Sequence, residues 1–247
     1  MTSDRALWIT WYDLPEARRD AYLDWLHGRY IPAVLQRPGY LWAAHYATVK
    51  KDRQGVKVRR EQGVHHIDAS AVPAGEQYVL IFGAADTSVF GVCAPAAINA
   101  ALPDAEKQWL ALRSGERVNI MVEAARVDGP ERAGYAEGAQ LAPCIQLGQF
   151  NCTPAHEEEM MAWYTQWRMD AMSRLPGCIR TRKLASVAGW AKHAILYEFT
   201  SLAARNEHFS KHEDARPDMV AWGDKIVNEL THAPASPNLA QRIWPKG

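Results

Sequence analysis

The sequence predicts an α+β protein made of two tandem ferredoxin-like βαββαβ repeats. Two observations carry this. A stretch running from Trp25 to Pro38-Gly39 recurs as Trp163 to Pro176-Gly177; Pro follows Trp by 13 positions in each, and the copies lie 138 residues apart. Around each copy, segments of strand-like alternation and a helix with one broad apolar face follow in the same order. A single βαββαβ unit covers one face of its sheet with its own helices and leaves the other apolar face in need of a partner. Here the second repeat can be that partner, sheet against sheet, so the chain carries its own dimer.

The elements read as follows. Ala6–Tyr12 is aromatic and β-branched, with Leu7, Ile9 and Trp11 on one face and Trp8, Thr10 and Tyr12 on the other. A helix starts near Pro15, with Pro and Glu in its first turn. On a 100° wheel it gathers Tyr22, Trp25, Leu26, Arg29, Tyr30 and Ala33 on one face. Gly28 and Pro32 weaken its end, and Pro38-Gly39 stops it. A strand at Tyr40–Val49 contains His45; Lys50–Gln77 reads as a polar loop or exposed hairpin; Tyr78–Phe82 is a third strand. Asp86 can cap a short helix, a second helical piece spans Asp104–Arg113, and Val118–Val127 is a fourth strand. A linker rich in Gly and charge follows Asp128. The order then repeats: strand Ile145–Cys152, helix Pro154–Leu175, strands Ile179–Ser186 and His193–Phe199, a helix from Ser201, and a closing strand Leu239–Trp244. The expected domains are residues 1–127 and 144–247, joined by 128–143.

Composition sets bounds. The 28 basic and 28 acidic residues leave a formal net charge of zero, which argues against nucleic acid as a partner, since such partners need a concentrated basic face. A hydrophobic fraction of 48% suffices for a sizeable core. No run approaches the ~18 apolar residues of a membrane helix, and no secretory signal is seen, so a cytoplasmic protein with no membrane partner is expected. The thiols Cys93, Cys144, Cys152 and Cys178 form no C-x-x-C pair and read as reduced and mostly buried. The ten tryptophans could line an aromatic pocket as well as fill a core.

Trp25, Ile31, Pro32, Leu35, Pro38 and Gly39, with Trp163, Tyr164, Pro176 and Gly177, match the pattern Trp-Tyr-x-x-x-His-Ile-Pro-x-x-Leu-x-x-Pro-Gly. In these positions the chain resembles the dimeric α+β barrel superfamily and, within it, the EthD-like group. The resemblance implies an intrachain dimeric α+β barrel and work on small aromatic or ring-cleavage-derived compounds. It departs at the helix histidine, five positions after the Trp. Tyr30 and Arg168 stand there, so a mechanism using that imidazole does not carry over unchanged. Haem occurs in relatives, but no axial-ligand motif is visible; neither phosphate loop nor Gly-x-Gly-x-x-Gly occurs, and no cofactor or metal is expected.

The candidate catalytic residues are His27, Tyr30 and His45. A neutral imidazole is the usual acid or base near pH 7, and Tyr30 could polarise or protonate an oxygen from the family's functional position. Each has a plainer reading: a partly exposed helix histidine, a core tyrosine, a hydrogen-bonded strand histidine. Trp8, Tyr12 and Trp25 would wall the pocket, and Arg29 or Arg168 would hold a carboxylate. His208 and His212, spaced i and i+4, and the pair His65-His66 are weaker metal candidates amid charged neighbours. The expected activity is proton transfer without a cofactor (an isomerase, lyase or labile-ester or lactone hydrolase) on a small aromatic or ring-cleavage-derived carboxylate. A cofactor-free monooxygenase and a non-catalytic binding protein are the alternatives. The sequence leaves open whether chains associate into a homo-oligomer.

Overall fold

The computed structural model describes residues 4–49, 64–135, 141–209, 211–212 and 216–246. Strand β1 (Ala6–Asp13) leads into helix α1 (residues 16–35), then β2 (Tyr40–Thr48), a two-residue β3 (His65–His66) and β4 (Tyr78–Ala84). Three short helices follow, α2 (Ser88–Val92), α3 (Pro95–Ala100) and α4 (Asp104–Leu110), and then the long β5 (Ser114–Asp128). The second repeat runs β6 (Cys144–Cys152), α5 (residues 154–172), β7 (Cys178–Ala188), β8 (His193–Phe199), α6 (residues 202–209), α7 (Pro217–Asn228), β9 (Leu230–His232) and β10 (Asn238–Trp244).

The strand order β10-β2-β4-β1-β5-β7-β8-β6, closed by pairing of β6 with β10, makes an eight-stranded antiparallel barrel. The protein is thus an α+β chain whose two ferredoxin-like repeats form a dimeric α+β barrel within one polypeptide. The sheets do not simply stack, as the sequence suggested. The last strand of each repeat hydrogen-bonds to the second strand of the other, β5 to β7 and β10 to β2, so neither sheet keeps a free long edge.

Period-two alternation sorts the side chains into three cores. Leu7, Ile9, Trp11, Ala44, Tyr46, Ile81, Leu147, Leu184 and Leu196 point into the barrel. Trp8, Tyr12 and Phe82 face outward under α1; Phe150, Ile195 and Tyr197 face outward under α5. One end of the barrel is sealed by ions from both repeats. The Arg182 guanidinium, fully buried, lies 2.5 Å from Asp4 Oδ2, 3.3 Å from Glu123 Oε2 and 3.6 Å from Glu198 Oε1.

Both long helices carry a five-residue π turn at matching places, Leu26–Tyr30 and Tyr164–Arg168. Pro32 is therefore not its cause, since Asp170 occupies the corresponding position in α5. The Pro-Gly stops also match. Gly39 and Gly177 adopt φ of 87° and 80°, and a Cβ on either would stand 2.6 Å from a side-chain carbon, of Val89 or Ala204.

Some expectations need correction. Helices α3 and α7 and strand β9 were not read from the sequence, and β5 starts four residues earlier than expected, at Ser114. Within the expected loop, residues 50–63 lie outside the described residues, but His65–His66 pairs in parallel with β9. Within the linker, Pro130–Gly134 is a 3-10 turn, and residues 136–140 lie outside the described residues. No helix among the described residues is long and apolar enough to cross a membrane.

Candidate functional site

His45 sits on β2 between Ala44 and Tyr46, which face the barrel interior; alternation turns its imidazole outward, beneath α1. The neighbouring strand β4 brings Leu80 opposite both His45 and Thr10, and Tyr78 opposite Tyr12. Tyr12, Tyr78 and His45 therefore meet on one patch of sheet. The Tyr12 hydroxyl is 2.8 Å from His45 Nε2. From above, the π turn lowers His27, whose Nε2 is 2.8 Å from His45 Nδ1. An unbroken hydrogen-bonded chain thus runs from the half-buried His27 through His45 to Tyr12, both fully buried.

Arg113, just past α4, anchors the inner end. Its Nε donates to the Tyr22 hydroxyl at 2.6 Å and its Nη1 pairs with Glu116 at 2.7 Å. The guanidinium lies 4.5 Å from the Tyr12 ring centre, and its Nη2 is buried with no hydrogen-bond partner among the described residues. The Tyr12 and Tyr22 rings meet edge to face with centres 5.8 Å apart. Arg113, in contact with both tyrosines, and the hydrogen-bonded Tyr12, His45 and His27 thus form one line of polar side chains through an aromatic layer.

Burial sets the protonation of this thread. It holds His45 well below the usual histidine value, and the neighbouring His27 and the Arg113 charge push the same way. Burial lowers His27 to about 4; Asp24 opposes that and Lys246 adds to it. Both imidazoles are neutral at pH 7. Burial also raises the Tyr12 hydroxyl well above its ordinary value, so it stays protonated.

The aromatic residues expected as pocket walls pack on one another. Trp25 touches Tyr22 and Tyr30 at 5.6 and 5.3 Å between ring centres, and Trp8 stacks on Phe82 at 4.7 Å. The Tyr30 hydroxyl donates to Asn99 Oδ1 at 2.6 Å, away from the imidazoles, and the ring is 1% exposed. Arg29 is exposed. Arg168 belongs to the second repeat, over the Trp163 ring at 4.8 Å and bonded to His212 Nε2 at 3.0 Å. Neither arginine joins His27 and His45.

Four members of the site were not singled out from the sequence: Arg113, Tyr22 as a polar partner, Tyr78 and Trp244. Trp244 comes from β10 of the other repeat, and its ring stacks on His27 with centres 6.1 Å apart. Only the strand exchange between repeats brings it there. His66 Nε2 bonds the Ser236 carbonyl at 2.8 Å, and among the described residues no three His, Cys, Asp or Glu side chains group to hold a metal.

No protein-family model matches the chain, and no curated protein matches it. Solved structures of the same fold do. A protein proposed to be a monooxygenase, from Fusobacterium nucleatum, aligns over 98% of this chain and 94% of its own, with a TM-score of 0.58 and 10% identity. Another proposed monooxygenase, from Lactobacillus acidophilus, covers 97% and 94% with a TM-score of 0.54 and 12% identity. An anthrone oxidase-like protein covers 98% and 92%, with a TM-score of 0.60 and 10% identity. At such identity the likeness is one of fold.

Proposed function

We propose that this protein is a proton-transfer enzyme acting on a small aromatic or ring-cleavage-derived carboxylate, with an EthD-like ancestry read from the Trp25 to Gly39 pattern and a division into repeats at 1–127 and 144–247. The observation that carries the reading is the His27–His45–Tyr12 chain, open to solvent only at His27. The substrate ring docks at that outer end, against His27 and Trp244.

In one polarity His27 Nε2–H donates to His45 Nδ1, and His45 Nε2–H donates to the Tyr12 oxygen. His27 Nδ1 is then free to take the substrate's proton, and the positive charge stays at the half-buried His27, since burial and Arg113 disfavour it on His45. His27 is the catalytic group; His45 and Tyr12 are positioning residues that fix its tautomer. Burial that lowers His27 to about 4 makes its imidazolium a better proton donor than an ordinary histidine. That favours shifting a proton within one molecule, as in an isomerisation. Arg113 touches Tyr12 and Tyr22 and holds the thread in place.

The names of the fold neighbours favour a second reading that shares the first step. A substrate anion formed at His27 could pass its electrons to dioxygen, as a cofactor-free monooxygenase requires. One experiment separates the two. Aromatic acids and phenols are incubated with the enzyme in D2O, with deuterium uptake followed by NMR and dioxygen by an electrode. Exchange without oxygen uptake supports the first reading, and uptake supports the second. His27→Gln should slow either by ~100-fold or more. Undiminished turnover in that variant would sink the assignment.

A further inference from the structure

We propose that the second repeat holds a separate site in which Lys183 forms an imine with a small aldehyde or ketone that has an apolar or aromatic body. Lys183 stands 138 residues after His45, at the corresponding place in β7: each lies opposite the third residue of the adjacent strand, Leu80 in β4 and Ile195 in β8. The same comparison sets Phe150 where Tyr12 stands and His193 where Tyr78 stands. The repeat has exchanged a hydroxyl–imidazole pair for an amine beside an apolar ring. This proposal does not rest on the proton-transfer reading of the first repeat.

Lys183 is only 6% exposed, and among the described residues it forms no ion pair with a carboxylate. Its Nζ sits 5.0 Å from the Tyr164 ring centre, and that ring stacks on Phe150 at 6.0 Å. The charged and titratable groups that face it are few. Glu157, at the start of α5, is taken up by Lys192 at 2.6 Å and His193 at 3.0 Å. Lys192 repels the ammonium, and Cys152 on β6 is held protonated by its own burial. Desolvation accordingly lowers Lys183 to about 8, against the partial pull of Glu157. A desolvated lysine in an apolar pocket is the setting that activates an amine as a nucleophile.

The reaction balances without a further reagent. The neutral Nζ attacks the carbonyl carbon, the C–O double bond breaks, a C–N double bond forms, and the oxygen leaves as water with the two protons of the amine. His193, held by Glu157 and two positions before Ile195, the residue opposite Lys183, shares that face of the sheet and can carry a proton to the departing oxygen.

The test uses the full chain with benzaldehyde and cyanoborohydride at pH 7, followed by digestion and mass spectrometry. Neutral amine at Lys183 is on the order of a hundredfold more abundant than at an ordinary lysine. The benzyl adduct should therefore form at Lys183 at least tenfold faster than at Lys192 or Lys225, both 58% exposed. In Lys183→Arg that adduct should vanish while the other two sites label as before. A wild-type Lys183 that stays unlabelled, or labels no faster than those two lysines, overturns the proposal whatever the first repeat does.

Discussion

A histidine sealed from water resists protonation, because the charged form loses its hydration and gains little in return. His45 is such a group, and its folded value lies well below that of the unfolded chain. The unfolded state therefore binds the extra proton, so this contribution to stability is fully present above pH ~6.5 and is lost as pH falls below it. His27 behaves alike, with its window between the ordinary value and about 4. Urea unfolding at pH 7 and pH 5 should show a larger acid loss in wild type than in His45→Gln, by up to ~1.4 kcal/mol per pH unit for each proton taken up. Equal losses would mean that His45 is hydrated. Tyr12→Phe should leave the fold intact and cost ~1 kcal/mol for one hydrogen bond. In turnover it should reveal its part as a shifted pH profile.

At the scale of elements, α1 shows what a helical wheel cannot see. A straight α-helix of 3.6 residues per turn would place Arg29 among Tyr22, Trp25 and Leu26 and swing Ile31 away. The π turn at Leu26–Tyr30 sets later residues back by about 100°, which turns Arg29 and Ala33 outward, keeps Tyr30 in and brings Ile31 and Val34 in. The helix stop is equally specific. Gly39→Ala forces a side chain onto φ 87° and into Val89, and should cost ~1–2 kcal/mol by denaturation. Gly28→Ala meets open space and should be neutral or slightly stabilising. Reversal of that order would show that α1 ends differently.

The whole molecule is held by what crosses between repeats. Arg126, Arg180 and Arg182 balance Asp4, Glu123 and Glu198 at one end of the barrel. Arg182→Met leaves buried carboxylates without their shared cation and should cost ~3–5 kcal/mol, seen as a lower unfolding midpoint. Residues 1–127 and 144–247, made separately, each expose the barrel-facing apolar side and the β-edges that β5–β7 and β10–β2 pairing would cover. Each should self-associate or stay unfolded in sedimentation; a stable monomer of either would contradict the account of the closure.

The repeat, the fold class and most strand positions were legible in the chain, because period-two alternation and the Trp-to-Pro-Gly spacing are local and occur twice. His27, His45 and Tyr12 could be picked out one by one, since an imidazole or a tyrosine in an apolar element is conspicuous. Their union was not legible, nor was the role of Arg113, one of 28 basic residues with no local mark. Those depend on strand register, on a π turn that resets the helix phase, and on a strand crossing from the other repeat to bring Trp244. Local pattern determines which elements form. Only the packing of the closed barrel, where distant side chains must share one dry space, decided which of them touch.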